Sequence, residues 1–309
     1  MEKIYDMIIA GGGPGGYTAA LYGARAGLDV LLVERLSAGG QMNLTGQIDN
    51  YPGFPEGVDG FRLSMLMQQQ AERFGAKTRY AEVLKLELEG EIKKVVTNEG
   101  AYLAKAVVIS TGANPRQLGV NRENDMIGRG VGYCAHCDGG FYRGKSVAVV
   151  GGGNSAAAEA LHLSRIAKEV ILIHRRDALR ATQIYHKPLM EASNIRFLWD
   201  SEIVQLLGED LLEGVRVRNL KSGEEQDVRV QGLFISIGRK PATGLVKEQL
   251  TLDNAGYIIA GEDTKTSIPG VYAVGDVRTK ELRQIVTAVA DGAMAAHVAA
   301  EYLAEGGVV

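Results

Sequence analysis

Cys134 and Cys137 are the only cysteines in the chain; they enclose Ala135 and His136, and Asp138 follows directly. Cys-x-x-Cys brings two sulfurs near enough to close a small ring. The nucleophile of such a pair is the thiolate, so local positive charge governs its reactivity. Two blander readings compete with a redox pair. Structural zinc takes four ligands, but no second cysteine pair exists and the other histidines are scattered at 162, 174, 186 and 297. The thiols could also be inert and simply packed.

Glycine turns supply a second kind of chemistry. Displaced by 140 residues, GGGPGGYTAALYGARAGLDVLLVER from Gly11 lies over GGGNSAAAEALHLSRIAKEVILIHR from Gly151 without a gap. Gly11, Gly12 and Gly13 fall on Gly151, Gly152 and Gly153, Leu21 on Leu161, and Glu34 on His174. In G-x-G-x-x-G the first glycine makes a tight turn and the second lets backbone approach a pyrophosphate. The third brings helix close to strand. The helix start then offers free N–H groups and a positive dipole end to the phosphate. The first copy fits at Gly11, Gly13 and Gly16, with Pro14 and Gly15 inside the motif. The second fits at Gly151, Gly153 and Ala156, with Asn154 and Ser155 inside. One such motif is compatible with a turn that binds nothing. Two in register point to two dinucleotide sites.

The end of each second strand separates the ligands. Glu34 stands 23 residues after Gly11, where a carboxylate accepts from a ribose diol and repels a 2′-phosphate. The second copy ends in His174, Arg175 and Arg176, with Arg180 beyond. Guanidinium forks suit a phosphate; a solvated loop is the competing reading. Site one reads as FAD or NAD(H), and site two as NADP(H).

These residues must be held by strands and helices. Each copy has a β-branched run, a glycine turn, a small-residue helical segment and a second apolar run (residues 30–33 and 170–173), which is β-turn-α-β twice. In the first half, residues 61–74 read as a helix, 83–89 and 92–97 as a hairpin, and 106–110 as a strand ending in Thr111-Gly112. In the second, residues 215–220 and 228–230 alternate likewise, and 233–237 read as a strand before Gly238. Residues 268–276 form another strand pattern, and 285–303 a long Ala-rich helix.

Length and composition agree with two such domains. A chain of 309 residues holds about two domains at roughly 150 residues each. A net charge of −3 carries no electrostatic footprint for nucleic acid or an anionic membrane. The longest charge-free stretch near the start is broken by the Gly11 to Gly16 turn and does not read as a membrane span. Two cysteines make no secreted disulfide framework and no signal-peptide pattern opens the chain, so the expected location is cytoplasmic.

The ordered set of GGGPGG with Glu34, Ser110-Thr111-Gly112, GGGNSA with His174-Arg175-Arg176, and Val274-Gly275-Asp276 resembles the flavoprotein disulfide reductases. The cysteine pair lies just before the second glycine motif rather than soon after the first. That placement is similar to the low-molecular-weight thioredoxin reductase branch, and the likeness extends to Arg283-Gln284-Ile285. It implies an α/β fold of two Rossmann-like dinucleotide-binding domains, the second inserted into the first. Residues 1–116 and 246–309 would form the FAD domain, and 117–245 the NADPH domain carrying the cysteines. The two crossings would serve as a hinge.

The same resemblance implies thioredoxin-disulfide reductase activity. Hydride passes from NADPH to FAD, then electrons to the 134/137 disulfide, then to thioredoxin or a thioredoxin-like protein, in a cytoplasmic homodimer. Cys137 would face the flavin, Cys134 would attack the partner, and Asp138 would be the general acid/base unless it is only a turn residue before Gly139-Gly140. FAD contacts are expected at the first glycine motif, Glu34, Gly40, Gln41, Asn50, Thr111, Gly112, Asp276, Arg283, Gln284, Ile285 and the Val83 backbone. NADPH contacts are expected at the second glycine motif, His174, Arg175, Arg176, Arg180, Ile237 and Gly238. No metal is expected.

A reductase or dithiol oxidase of the same fold, acting on another protein or small-molecule disulfide or dithiol, is the alternative. The basic run at 174–176 argues against an oxidase that ignores NADPH. Three positions depart from the family pattern: His136 replaces Thr or Val, Gly140 a larger residue, and Ala158 a glutamate of the second glycine helix. A protonated His136 is expected to lower a neighbouring thiol pKa; a solvent-facing imidazole without effect is the other reading. The Ala158 change bears on nicotinamide placement.

Overall fold

The computed structural model describes residues 3–44 and 47–306. The chain divides into two units, Met1–Asn114 with Lys240–Val309, and Pro115–Arg239. The strands that carry the chain across, Ala113–Pro115 and Arg239–Pro241, pair as a two-stranded ribbon.

In the first unit the strand Ile4–Ala10 is buried on both faces from Met7 onward, as a central parallel strand must be. It runs parallel to Val30–Glu34 on one side and to Gly100–Ile109 on the other. Lys77–Tyr80 extends the sheet beyond Val30–Glu34. The ten-residue strand Gly100–Ile109 divides its remaining edge. Its first half pairs antiparallel with Lys93–Thr97, and its last residues pair parallel with Val271–Ala273.

Alternate side chains face opposite layers. Met7 and Ile9 join Tyr17, Ala295, Ala296 and Ala299 under the helices, while Ile8 joins Leu86, Leu88 and Val95 of the hairpin side. The helices Pro14–Arg25 and Ile285–Ala304 pack on each other so closely that a Cβ on Gly292 would lie 2.2 Å from the Gly15 carbonyl oxygen. Small side chains along the last helix permit that approach.

The second unit repeats the plan. Its parallel sheet runs in the order Val131–Gly132, Gly232–Ile235, Ser146–Val150, Glu169–Ile173, Ile195–Leu198. The antiparallel strands Ser201–Leu207, Gly214–Asn219 and Glu225–Arg229 form a separate sheet, where the first unit keeps its hairpin in the main one. Val131–Gly132 lies parallel beside Gly232–Ile235 as Val271–Ala273 lies beside Gly100–Ile109. One edge strand precedes its glycine motif in the chain; the other comes from the C-terminal segment.

The unit boundaries differ from the expected 116/117 and 245/246. Residues 240–245 belong with the first unit. The Ala242 N–H donates to the Gly112 carbonyl at 2.9 Å, and the Thr111 hydroxyl donates to the Ala242 carbonyl at 2.8 Å. The strand expected at 233–237 ends at Ile235, and that expected at 268–276 is confined to Val271–Ala273. Among the described residues, no helix is long and apolar enough to cross a membrane.

Candidate redox and dinucleotide sites

Val131–Gly132 leads through Tyr133 into a one-turn helix, Ala135–Asp138, with Cys134 as its extended N-cap. The Cys137 and Asp138 N–H groups both donate to the Cys134 carbonyl at 3.1 Å, which folds the second sulfur back over the first. Cys134 and Cys137 are joined in a disulfide with Cα atoms 5.3 Å apart. No group of three or more His, Cys, Asp or Glu suited to a metal occurs among the described residues.

Asp138 closes the turn with its carboxyl lying over Gly132, where an added Cβ would come within 3.2 Å of Oδ2. Burial pushes its pKa up to about 6. A carboxyl with that pKa exchanges protons readily near neutral pH, as a general acid/base must. His136 stacks on His162, with ring centroids 4.4 Å apart. Burial lowers both imidazoles, and at His162 the charges of His136 and Arg165 add to the effect. The lowering at His136, a residue exposed over much of its surface, runs against a protonated imidazole acting on the neighbouring thiols.

In the first unit, Gly11 follows the central strand at φ 109°, and a Cβ on Gly16 would sit 2.0 Å from the Gly11 carbonyl oxygen. Turn and helix touch there, and only hydrogen fits. Gly13 is the N-cap of Pro14–Arg25, without a side-chain cap and with open space where its Cβ would be. The Glu34 carboxylate accepts from the Gly12 N–H at 2.7 Å and from the Leu36 N–H at 3.1 Å. Thr111 and Gly112 follow the next strand, and Gly275 and Asp276 follow Val271–Ala273. All these groups sit beyond the carboxyl ends of one sheet, where doubly wound folds bind ligands.

The remaining positions gather around this edge. Gly40 faces Gly13, and Gln41 donates to Asn114 at 3.1 Å. Asn50 donates to the Gln284 side chain at 3.0 Å, and Gln284 caps the last helix at Ile285 through a capping box. Val83 begins the strand that follows the Glu34–Tyr80 pair and the Ala81 N–H bonded to the Glu34 carbonyl. The Arg283 guanidinium lies 4.1 Å from the Tyr257 ring centroid, and its Nε is buried without a partner. Pattern reading missed Asp291, whose carboxylate accepts from the Gly275 N–H, Arg278 and Lys280 at 2.8, 3.0 and 2.7 Å. It fixes the peptide ahead of Asp276 from beneath, and no local motif marks it.

The second unit reproduces the first turn with different chemistry. Gly151 has φ 149°, and Gly153 is an open N-cap to Asn154–Ser164. Ser155 is exposed, Ala156 is buried, and the Asn154 side chain accepts from the Thr182 N–H at 2.8 Å. His174, in the place of Glu34, is only 4% exposed. Its ring covers Gly152, where a Cβ would come within 2.2 Å, and its Nε2 is buried without a partner. Burial and then Arg180, Arg176 and Arg175 lower its pKa, so it sits there neutral.

Arg175, Arg176 and Arg180 are exposed. Ile237 and Gly238 follow Gly232–Ile235, with Gly238 at φ 104° accepting from the Arg116 N–H at 3.0 Å. A buried imidazole nitrogen lacking a partner, beside exposed guanidinium groups and an uncapped helix start, fits a phosphorylated ribose. The open Gly13, the uncapped helix behind it and Glu34 fit a dinucleotide without a 2′-phosphate.

Glu159 is the second residue missed by pattern reading. Ala158 leaves the second glycine helix without a glutamate at the family position. One residue on, about 100° around the helix, Glu159 turns its carboxyl inward, with Oε2 buried and without a partner. Burial pushes its pKa up to about 7, against hydrogen bonding from the Ser236 side chain and the Ala135 backbone and the charge of Arg239.

The family model described as pyridine nucleotide-disulphide oxidoreductase matches residues 5–292. A thioredoxin reductase of Streptomyces coelicolor is 44% identical, covering 98% of this chain and 95% of its own. One from Treponema pallidum is 40% identical, covering 98% of each. The crystal structure of a thioredoxin reductase from Streptococcus pyogenes superposes with a TM-score of 0.91 at 44% identity, covering 99% of this chain and 100% of that one.

Proposed function

The chain belongs to the pyridine nucleotide-disulphide oxidoreductases, among the low-molecular-weight thioredoxin reductases, and on that premise we propose that it is an NADPH-dependent, FAD-containing reductase of a thioredoxin-type protein. The observation that carries the reading is the Cys134–Cys137 disulfide ahead of the half-buried acid Asp138, in a chain with two dinucleotide turns of opposite charge character. Bound FAD would relay paired electrons from NADPH to the sulfurs.

Gly11, Gly13, Pro14, Gly15, Gly16, Glu34, Gly40, Gln41, Asn50, Val83, Thr111, Gly112, Asp276, Arg283, Gln284 and Ile285 would hold FAD. Gly151, Gly153, Asn154, Ser155, Ala156, His174, Ile237 and Gly238 would hold NADPH, with Arg175, Arg176 and Arg180 on its 2′-phosphate. His174 offers one neutral nitrogen rather than a charge. The FAD domain is proposed to be the first unit and the NADPH domain the second. The chain passes between them twice, and a hinge at those crossings would let sulfur pair and nicotinamide exchange position.

Once the pair is reduced, the Cys134 thiolate attacks one sulfur of the partner's disulfide and the other sulfur leaves as a thiolate, protonated by Asp138. The Cys137 thiolate then attacks the Cys134 sulfur, restores the internal disulfide and releases the second partner thiolate. Net, one NADPH and one proton convert one partner disulfide to a dithiol. A cytoplasmic homodimer is the proposed setting, checked by sedimentation and cell fractionation.

Anaerobic titration of the yellow holoprotein with NADPH and then NADH, followed by a thioredoxin-coupled thiol assay, tests the reading. Flavin bleaching by NADPH in preference to NADH, with thiol production lost in Cys134→Ser and Cys137→Ser, is expected. Flavin reduction without thiol production would refute it.

A further inference from the structure

Among the carboxyl groups around the redox turn, Asp138 has a place in the chemistry above and Glu159 has none. The turn docks on the second glycine helix through Ala135, which is fully buried in one cluster with Ala156, Ala160 and Phe234. Glu159 lies on that helix and reaches the turn at its head. Its carboxyl faces the Ala135 N–H, in the peptide that joins Cys134 to Ala135, and the Ser236 hydroxyl just past Gly232–Ile235. Both donors favour the ionised carboxyl, yet Oε2 is sealed from water and has no hydrogen-bond partner.

We propose that Glu159 is a positioning residue of the redox pair: its carboxyl clamps the Cys134–Ala135 peptide from inside, and its gain or loss of a proton tunes the disulfide–dithiol equilibrium. The inference rests on the reading that Cys134 and Cys137 are the redox couple.

An ionised carboxylate suits the two donors, Ala135 N–H and Ser236 hydroxyl, but leaves Oε2 as a buried, uncompensated acceptor. A proton on Oε2 removes that penalty. The balance sets the pKa near 7, so a modest change in nearby charge shifts the proton population. The elements packed around it carry Asp138 and His136 on the redox turn, His162 on its own helix, Glu169 on Glu169–Ile173, and Tyr185, His186, Lys187 and Glu191 on Gln183–Glu191. The charge of Arg239 favours its ionised form.

Reducing the disulfide takes up two electrons, from NADPH by way of the flavin, and two protons, from solvent at full protonation. Where a sulfur remains as thiolate, its negative charge opposes an ionised Glu159 and favours the protonated one. The reduced state therefore gains beyond the ordinary proton uptake as pH falls through the Glu159 titration. By linkage, the carboxyl titrates higher in the reduced protein than in the oxidised one.

The test equilibrates the holoenzyme anaerobically with a dithiothreitol buffer of varied ratio at pH 6, 7 and 8, and counts Cys134 and Cys137 thiols by alkylation and mass. Glu159→Gln keeps the shape and cannot ionise. At pH 8 it is expected to favour the dithiol over native protein by roughly threefold to tenfold, about 30 mV per tenfold, with the difference vanishing at pH 6. Ser236→Ala removes one donor to the carboxylate, so the native break in the pH curve should move upward; this arm stands if the first variant does not fold. Curves superimposable with native in the variants that fold overturn the inference. A native pair that the buffer never reduces overturns the redox reading itself, and this inference with it.

Discussion

Asp138 shows how one carboxyl can be set for proton transfer at the expense of stability. Burial lifts it from 3.8 to about 6, so between those values the folded chain holds a proton that the unfolded chain has released. That contribution is complete below the unfolded value and is lost as pH rises through the folded one. Above pH 6 the ionised group is an internal cost of about 3 kcal/mol at most. Asp138→Asn should therefore raise denaturant stability at pH 8 and leave it unchanged at pH 4. The same variant should lower thioredoxin-reducing turnover by about 10²–10⁴ while NADPH still bleaches the flavin at the native rate. A variant that is no more stable at pH 8 would show that the carboxyl is not buried against its charge. His136 gives the opposite expectation. Stacked on His162 and lowered by burial, it carries little charge above pH 7. His136→Thr should give a thiolate absorbance titration superimposable on native from pH 7 upward. A thiol pKa raised by the substitution in that range would restore the charge-assisted role.

At the scale of elements, the glycine turns were legible in the sequence because Gly11 and Gly151 take positive φ and Gly16 lies against backbone, demands that only hydrogen meets. Gly16 abuts the Gly11 carbonyl, whereas the second copy accommodates Ala156 in the same place. The third strand of each sheet, Lys77–Tyr80 and Ile195–Leu198, was not legible. These outer strands carry Lys77, Arg79 and Arg196 and bury little, so neither an apolar run nor clean alternation marks them. Val131–Gly132 was hidden for another reason: two residues have no period, and its partner Gly232–Ile235 lies a hundred residues on in the chain. Glu159 was hidden because a helix start full of alanine gives no sign of which face meets the redox turn. Close approach of two helices was also only half visible. The Ala-rich pattern at 285–303 reads as a helix, but Gly292 against Gly15 emerges only on folding. Gly292→Ala puts a methyl where backbone already lies, so the helices must part and the glycine turn must shift with them. The expected result is a loss of about 1–3 kcal/mol and faster flavin release. A native melting temperature with full flavin retention would show that the contact can relax.

Across the whole molecule, one supersecondary plan is used twice, and the ligands are separated by what stands at the end of the second strand. In the first unit the Glu34 carboxylate accepts two backbone N–H groups. In the second, the same place holds a buried neutral imidazole, and positive charge is moved outward to Arg175, Arg176 and Arg180. The exposed arginines have no bearing on the core, so their removal should not unfold the unit, whereas a 2′-phosphate would lose charge-assisted hydrogen bonds at about 1.5–3 kcal/mol each. Arg175→Ala with Arg176→Ala is accordingly expected to raise KM for NADPH by roughly 10²–10⁴. Because NADH has no 2′-phosphate, its KM should change by less than about threefold, and the turnover number with either nucleotide should stay near native. The native preference for NADPH should also weaken as salt rises, since exposed charges are screened over about 8–10 Å, and that salt effect should shrink in the double variant, which keeps only Arg180 of the three. Equal losses for both nucleotides would mean that the arginines hold the dinucleotide as a whole or shape the turn, and the assignment of this surface to the phosphate would fail.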